Sequence, residues 1–144
     1  VTGVQTCALP ISHRMETSNY GFSKVVALSF EEAIDKTKSC CQAEGFGNLT
    51  TIDMKAKMKE KINVDMENYV ILGMCNPKLA NEAVQVEYEI GLLLPCNFIV
   101  YQKGDTVHVA AQRPSVMSQV ATNEALNTLV NTAEEKILKI LTAI

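Results

Sequence analysis

Three features of the sequence predict an α+β domain, with a mostly antiparallel sheet and helices on one of its faces. Strand-like and helix-like patterns follow one another in mixed order. Two strand patterns near residues 97–110 are separated by a glycine-bearing turn, as in a hairpin, and the chain closes on a long amphipathic helix pattern. At 144 residues the chain is long enough for one domain with its own core and too short for two ordinary ones.

The elements are justified in chain order. FSKVVALSF has apolar residues at Phe22, Val26, Leu28 and Phe30 with Val25 and Ala27 between them, which suits a strand covered on both faces. Ser29 and Glu32 have the spacing of a capping box, so a helix over 30–44 follows. Its stripe is Phe30, Ala33, Ile34, Thr37 and Cys41, with Gly45 at the left-handed closing position. NLTTI (48–52) reads as a short strand and Asp53 as the cap of a second helix, MKAKMKEKI. The alternating lysines of that helix read as a solvated face, because no aromatic is interleaved with them to stack on bases.

NYVILGMC (68–75) reads as a buried strand, and PKLANEAVQVEYEIGLLL as helical segments returning across the molecule. CNFIVYQ and TVHVAAQ form the hairpin, turning through Lys103, Gly104 and Asp105. That turn places Ile99, Tyr101, Val107 and Val109 on one face and leaves His108 on the other, in solvent. A short helical piece follows Pro114. The last helix starts near Asn123, with Leu126, Leu129, Val130, Ala133, Ile137, Ile140, Leu141 and Ile144 as its buried stripe.

Composition narrows the function classes. The net charge is −3, from 16 acidic against 13 basic side chains, so no overall positive field gathers nucleic acid or an anionic membrane. No apolar run approaches the roughly 18 residues of a spanning helix, and the chain is read as cytoplasmic, without a membrane partner. VTGVQTCALPIS resembles the translation of a short-read sequencing adapter of the kind left on contigs from environmental DNA. Residues 1–14 are therefore expected to be a non-native or disordered tail, Met15 the natural start, and 15–144 a single domain.

Without Cys7 of that tail, Cys40, Cys41, Cys75 and Cys96 remain, with no C-x-x-C pair and no His cluster. A zinc finger or ribbon is not indicated, and reduced thiols are expected rather than a disulfide frame. The acidic pairs Glu31/Glu32, Glu87/Glu89 and Glu134/Glu135 have no partner that completes an acid–base site and read as solvated. No phosphate loop, dinucleotide fingerprint or nucleophile elbow is present.

The candidate site lies in GMCNPKLANEAVQVEYEIGLLLPCNFIVY. Pro77 is suited to the first position of a helix and Asn76 to its cap, so Cys-Asn-Pro is a strand-to-helix switch. Cys75 then precedes a helix N-terminus, where free amides and the helix dipole favour a thiolate. If residues 69–75 and 97–102 are antiparallel neighbours, Cys96 comes close to Cys75, and Asn76 and Asn97 bring two amides to the same place. Space-filling cysteines and an ordinary helix cap account for the same residues without any activity.

These residues resemble the core signature of domain of unknown function family 302: a Cys-Asn-Pro at a strand end and a Leu-Leu-Pro-Cys-Asn some twenty residues on. The likeness extends through GFGNLTTIDMKAKMKEKI and the C-terminal helix, although Tyr88 stands where the family commonly has proline. The resemblance implies a single-copy TATA-binding-protein-like fold, a curved sheet on a long C-terminal helix, and a homodimer. It implies no reaction. Three readings stay open: a thiol site at Cys75, Asn76, Cys96 and Asn97 for a small ligand, soft metal or sulfur species, with Cys75 and Cys96 as metal candidates; a redox enzyme with Cys75 as nucleophile and Cys96 as resolving thiol; and a plain interaction domain.

Overall fold

The computed structural model describes residues 14–144, so the expected tail lies almost wholly outside the described residues. Six strands form one antiparallel sheet in the order β1-β2-β6-β5-β4-β3. They are β1 (Glu16–Thr17), β2 (Gly21–Val26), β3 (Gly47–Asp53), β4 (Tyr69–Cys75), β5 (Cys96–Lys103) and β6 (Thr106–Gln112). The helices are α1 (Phe30–Ala43), α2 (Met54–Ile62), α3 (Pro77–Val86), α4 (Val116–Val120) and α5 (Ala125–Ala143), with a 3-10 helix over Tyr88–Leu93. This is the α+β arrangement that the sequence predicts, with β1 added at one edge. A two-residue strand is too short to show a period, which is why the sequence gives no sign of it.

The local signals act as expected. Ser29 Oγ accepts from the Glu32 amide at 3.1 Å and Glu32 Oε1 accepts from the Ser29 amide at 3.0 Å, closing the capping box. At the other end of α1, Gly45 has φ +84, and the amides of Gly45 and Phe46 donate to Gln42 and Cys41 carbonyls. That paired bonding is a Schellman closure. Asp53 caps α2 by accepting from the Ala56 amide at 3.0 Å, and no residue of α2 is buried, so its lysines do form a solvated face.

The core lies between one face of the sheet and helices α1 and α5. Phe22 and Val26 of β2, Val70, Leu72 and Met74 of β4, Cys96, Phe98 and Val100 of β5, and Val107, Val109 and Ala111 of β6 all face it. Helix α1 contributes Ala33, Thr37 and Cys41; α5 contributes Leu126, Val130, Ile137, Ile140 and Leu141. Burying a side chain such as Leu72 or Phe98 stabilises by about 1.5–3 kcal/mol, so these alternating strand positions carry the fold. Thr37 is satisfied inside the core by donating to the Ala33 carbonyl at 2.7 Å.

Two expectations are corrected. The hairpin turns through Gly104 and Asp105 alone, with Lys103 paired to Thr106, one residue tighter than predicted. A one-residue change flips facing, because side chains alternate along a strand. Val107 and Val109 therefore face the core, while Ile99 and Tyr101 share the opposite face with His108, which pairs with Tyr101. His108 is not a free surface histidine. Its ring stacks on Tyr101 with centroids 4.6 Å apart, and Tyr101 stacks on Tyr69 at 5.6 Å.

The second correction concerns Glu134, whose side chain is only 22% exposed. Glu134 Oε1 accepts from the Ser115 amide at 3.0 Å, and Arg113 Nε lies 3.9 Å from the same oxygen. Arg113 also donates to Ser115 Oγ and to the Ser18 carbonyl. The carboxylate thus ties α5 to the β6–α4 connection.

Candidate functional site

Cys75 is the last residue of β4 and Cys96 the first of β5. The register sets Met74 opposite Cys96 and Gly73 opposite Asn97, so Cys75 stands one step past Cys96 on the neighbouring strand. Asn76 leaves the strand with extended geometry, φ −94 and ψ 104, and its Oδ1 accepts from the Leu79 amide at 3.2 Å; Pro77 opens α3. The strand-to-helix switch read from Cys-Asn-Pro is therefore present atom for atom.

Cys75, Asn76 and Cys96 line one cavity of about 50 Å³. Its other walls are Met74 and Phe46 from the core, Leu79, Ala80 and Ala83 of α3, Leu94 and Pro95, Met117, and Leu126, Leu129, Val130 and Ala133 of α5. Nearly all of that lining is hydrocarbon. Since one water needs about 10–15 Å³ on such a measure, the space holds a few waters or one group of a few heavy atoms. Asn97 does not belong to it. Alternation along β5 turns Cys96 into the core side, where it is buried, and Asn97 onto the open face of the sheet, where it is exposed. The expectation that both amides serve one pocket fails for that reason.

The thiols are not poised as thiolates. Burial pushes the Cys75 thiol above its ordinary value, the opposite direction to that expected from the helix N-terminus. Cys96 is pushed up to about 11, by burial first and the neighbouring Cys75 second. Cys41 is pushed up to about 12, by burial first and then by Cys40 and Cys96. All four described cysteines are free.

Cys41 was assigned to packing by its place on the α1 stripe, and it is fully buried; its closeness to Cys96 had no signal in the sequence. The walls from α3 did have one. Leu79, Ala80 and Ala83 form an apolar stripe at helical spacing. Among the described residues no three His, Cys, Asp or Glu side chains come together as a metal site. No described helix is long and apolar enough to cross a membrane.

Gly73 and Gly45 show how tightly the site's surroundings are built. A Cβ on Gly73 would stand 2.5 Å from Thr50 Cγ2 and 2.9 Å from Pro95 Cγ. One on Gly45 would stand 3.1 Å from Asn76 Nδ2. The Cys-Asn pair is thus wedged between the end of α1 and the Leu-Pro segment before β5.

No curated protein matches this chain. Its fold is similar to that of the crystal structure of uncharacterized conserved protein DUF302 from Bacillus stearothermophilus, at 25% sequence identity and a TM-score of 0.81, over 88% of this chain and 98% of that one. The family model described as Domain of unknown function DUF302 matches residues 22–144, nearly the whole sheet and both core helices, and the chain belongs to that family.

Proposed function

We propose that the domain is a homodimeric binding module whose cavity at Cys75 and Cys96 takes a small, uncharged, largely apolar ligand, including neutral sulfur species. The observation that carries this reading is the joint lining: Cys75, Asn76 and Cys96 all border one cavity of about 50 Å³ whose other walls are hydrocarbon. Raised thiol pKa values keep both sulfurs neutral near pH 7, and a neutral thiol in an apolar wall favours soft, uncharged contacts over ionic ones. The soft-metal version has less support, because deprotonating both thiols works against burial.

The test is titration with dimethyl sulfide, a three-heavy-atom neutral sulfur compound, followed by NMR of side-chain methyls. Shifts confined to Leu79, Leu129 and Val130, and lost in Ala83→Leu, are expected. Unmoved methyls at saturating probe would sink the reading.

Homodimer formation is supported by β3, whose residues are all exposed at the sheet edge, with Leu49 67% exposed. An edge strand with free backbone groups and exposed apolar residues is a template for pairing with another chain. Sedimentation equilibrium checks it: a dimer in the native protein and a monomer in Leu49→Lys are expected, and a native monomer refutes it.

A redox role is the second reading, favoured by the placement of half-exposed Cys75 beside buried Cys96. In that chemistry Cys75 sulfur attacks a small disulfide and releases one thiol; Cys96 then displaces the second, leaving a Cys75–Cys96 bridge as the substrate gains two electrons and two protons. Its signature is a reversible bridge after treatment with oxidised glutathione. Its weakness is the scarcity of thiolate at Cys75.

A further inference from the structure

On the face of the sheet away from the core, a second cavity of about 430 Å³ opens beneath Tyr20 and Leu92. Its floor is Ile99 and Ala110, and Asn97 and Gln112 are its amides. This is the open face onto which β5 turns Asn97, separated from the thiol cavity by Leu94 and Pro95, which line both. Its volume falls within the range of about 300–1,000 Å³ found for small-molecule sites, which are mostly apolar with a few placed polar groups.

One atom distinguishes this groove from an idle depression. Gln112 Oε1 is buried and has no hydrogen-bond partner, the one such side-chain atom among the described residues. Buried acceptors in folded proteins nearly always have a donor, and this one belongs to a residue lining a groove that is apolar apart from Asn97 and the Tyr20 hydroxyl. None of the described lining residues is charged, so a charged ligand would lose its hydration with nothing to replace it.

We infer that this groove binds a neutral small molecule with an apolar body and one hydroxyl or amide N–H, the body lying along Ile99, Ala110 and Pro95 and the Gln112 side chain turning to bring Oε1, which has almost no exposed surface, onto the donor. The site is separate from the thiol cavity and stands whether or not that cavity binds anything.

The experiment uses two isomers of equal size, hexan-1-ol, which carries a donor, and 1-methoxypentane, which does not. Each is titrated into the full chain with the Ile99 methyls, the Ala110 methyl and the Gln112 and Asn97 side-chain amides read by NMR. Expected are shifts at those groups, with the alcohol binding about tenfold more tightly, as one hydrogen bond to a buried acceptor allows. Gln112→Leu brings the two isomers within about twofold, and Ile99→Trp, which fills the floor, removes binding of both. Equal affinities in the native protein, a preference that survives in Gln112→Leu, or shifts confined to Leu79 and Leu129 of the thiol cavity would each overturn the inference.

Discussion

Cys96 and Asn97 are consecutive residues of β5 that open onto different cavities on opposite faces of the sheet. A motif that reads as one unit in sequence is therefore two half-sites, with the pleat of a single strand dividing them. Cys96 joins Cys75 and Asn76 against the core helices, and Asn97 joins Gln112 on the open face. The consequences can be measured separately.

Loss of the Asn76 cap is expected to loosen the thiol site as well as α3. Asn76→Ala leaves the Leu79 amide without its acceptor and should cost about 1 kcal/mol. Gly45→Ala should cost a similar amount, about 1 kcal/mol, by placing a side chain at φ +84, and more if Asn76 must give way. Urea denaturation of both variants and the double variant checks this: costs that fail to add show that the two positions share one contact.

Gly73→Ala is expected to destabilise by about 1–3 kcal/mol, the usual range for overpacking, since its methyl would collide with Thr50 Cγ2 and Pro95 Cγ. Thr50→Ser removes the first of those atoms and should recover part of the loss. Full recovery would mean that Pro95 yields freely; no recovery would mean that it is Pro95 that resists.

The ring stack predicts an acid-side loss of stability. Burial first, and Lys103 second, hold His108 below its usual pKa. With the folded pKa depressed, the unfolded chain takes up a proton first, so stability is present above about pH 6.5 and falls as pH drops through the folded value. His108→Phe keeps a ring against Tyr101 and should flatten that part of the profile. NMR titration of the His108 ring gives the direct check, with a midpoint below 6.5 expected.

At the alkaline end the buried thiols act. Cys41 and Cys96, at about 12 and about 11, keep their protons in the folded state after the unfolded chain has begun to lose them near pH 9. Stability from these groups is present below pH 9 and is lost as pH rises toward 11 and 12. Denaturation midpoints between pH 8 and 10.5 measure the slope, which Cys41→Ala should reduce by up to about one proton.

How much was legible follows from the range of each signal. The Ser29–Glu32 box, the Gly45 closure, the Asp53 and Asn76 caps and the stripe of α5 are local patterns, and each is where the sequence places it. The facing of β5 against β6 turns on a single residue of turn length, which composition around Gly104 does not settle, and a turn one residue longer would put Tyr101 and His108, which stack, on opposite faces. The Cys75–Cys96 proximity was readable because both residues mark the ends of neighbouring strands. The closeness of Cys41 to Cys96 and the unpaired Gln112 oxygen depend on packing between distant segments, which leaves no trace in spacing. The helix N-terminus beside Cys75 is visible in the sequence, whereas the burial that pushes its thiol pKa up is not.

The most direct test of the central claim, that Cys75 presents a neutral thiol to a small apolar cavity, is its rate of alkylation by N-ethylmaleimide as a function of pH, resolved residue by residue by mass spectrometry, with and without dimethyl sulfide. The account predicts half-maximal reactivity above the free-thiol value of about 8.5, slowing by dimethyl sulfide, and protection of Cys41 and Cys96. Half-maximal reactivity below pH 7, unaffected by dimethyl sulfide, would contradict it and point to an activated thiolate.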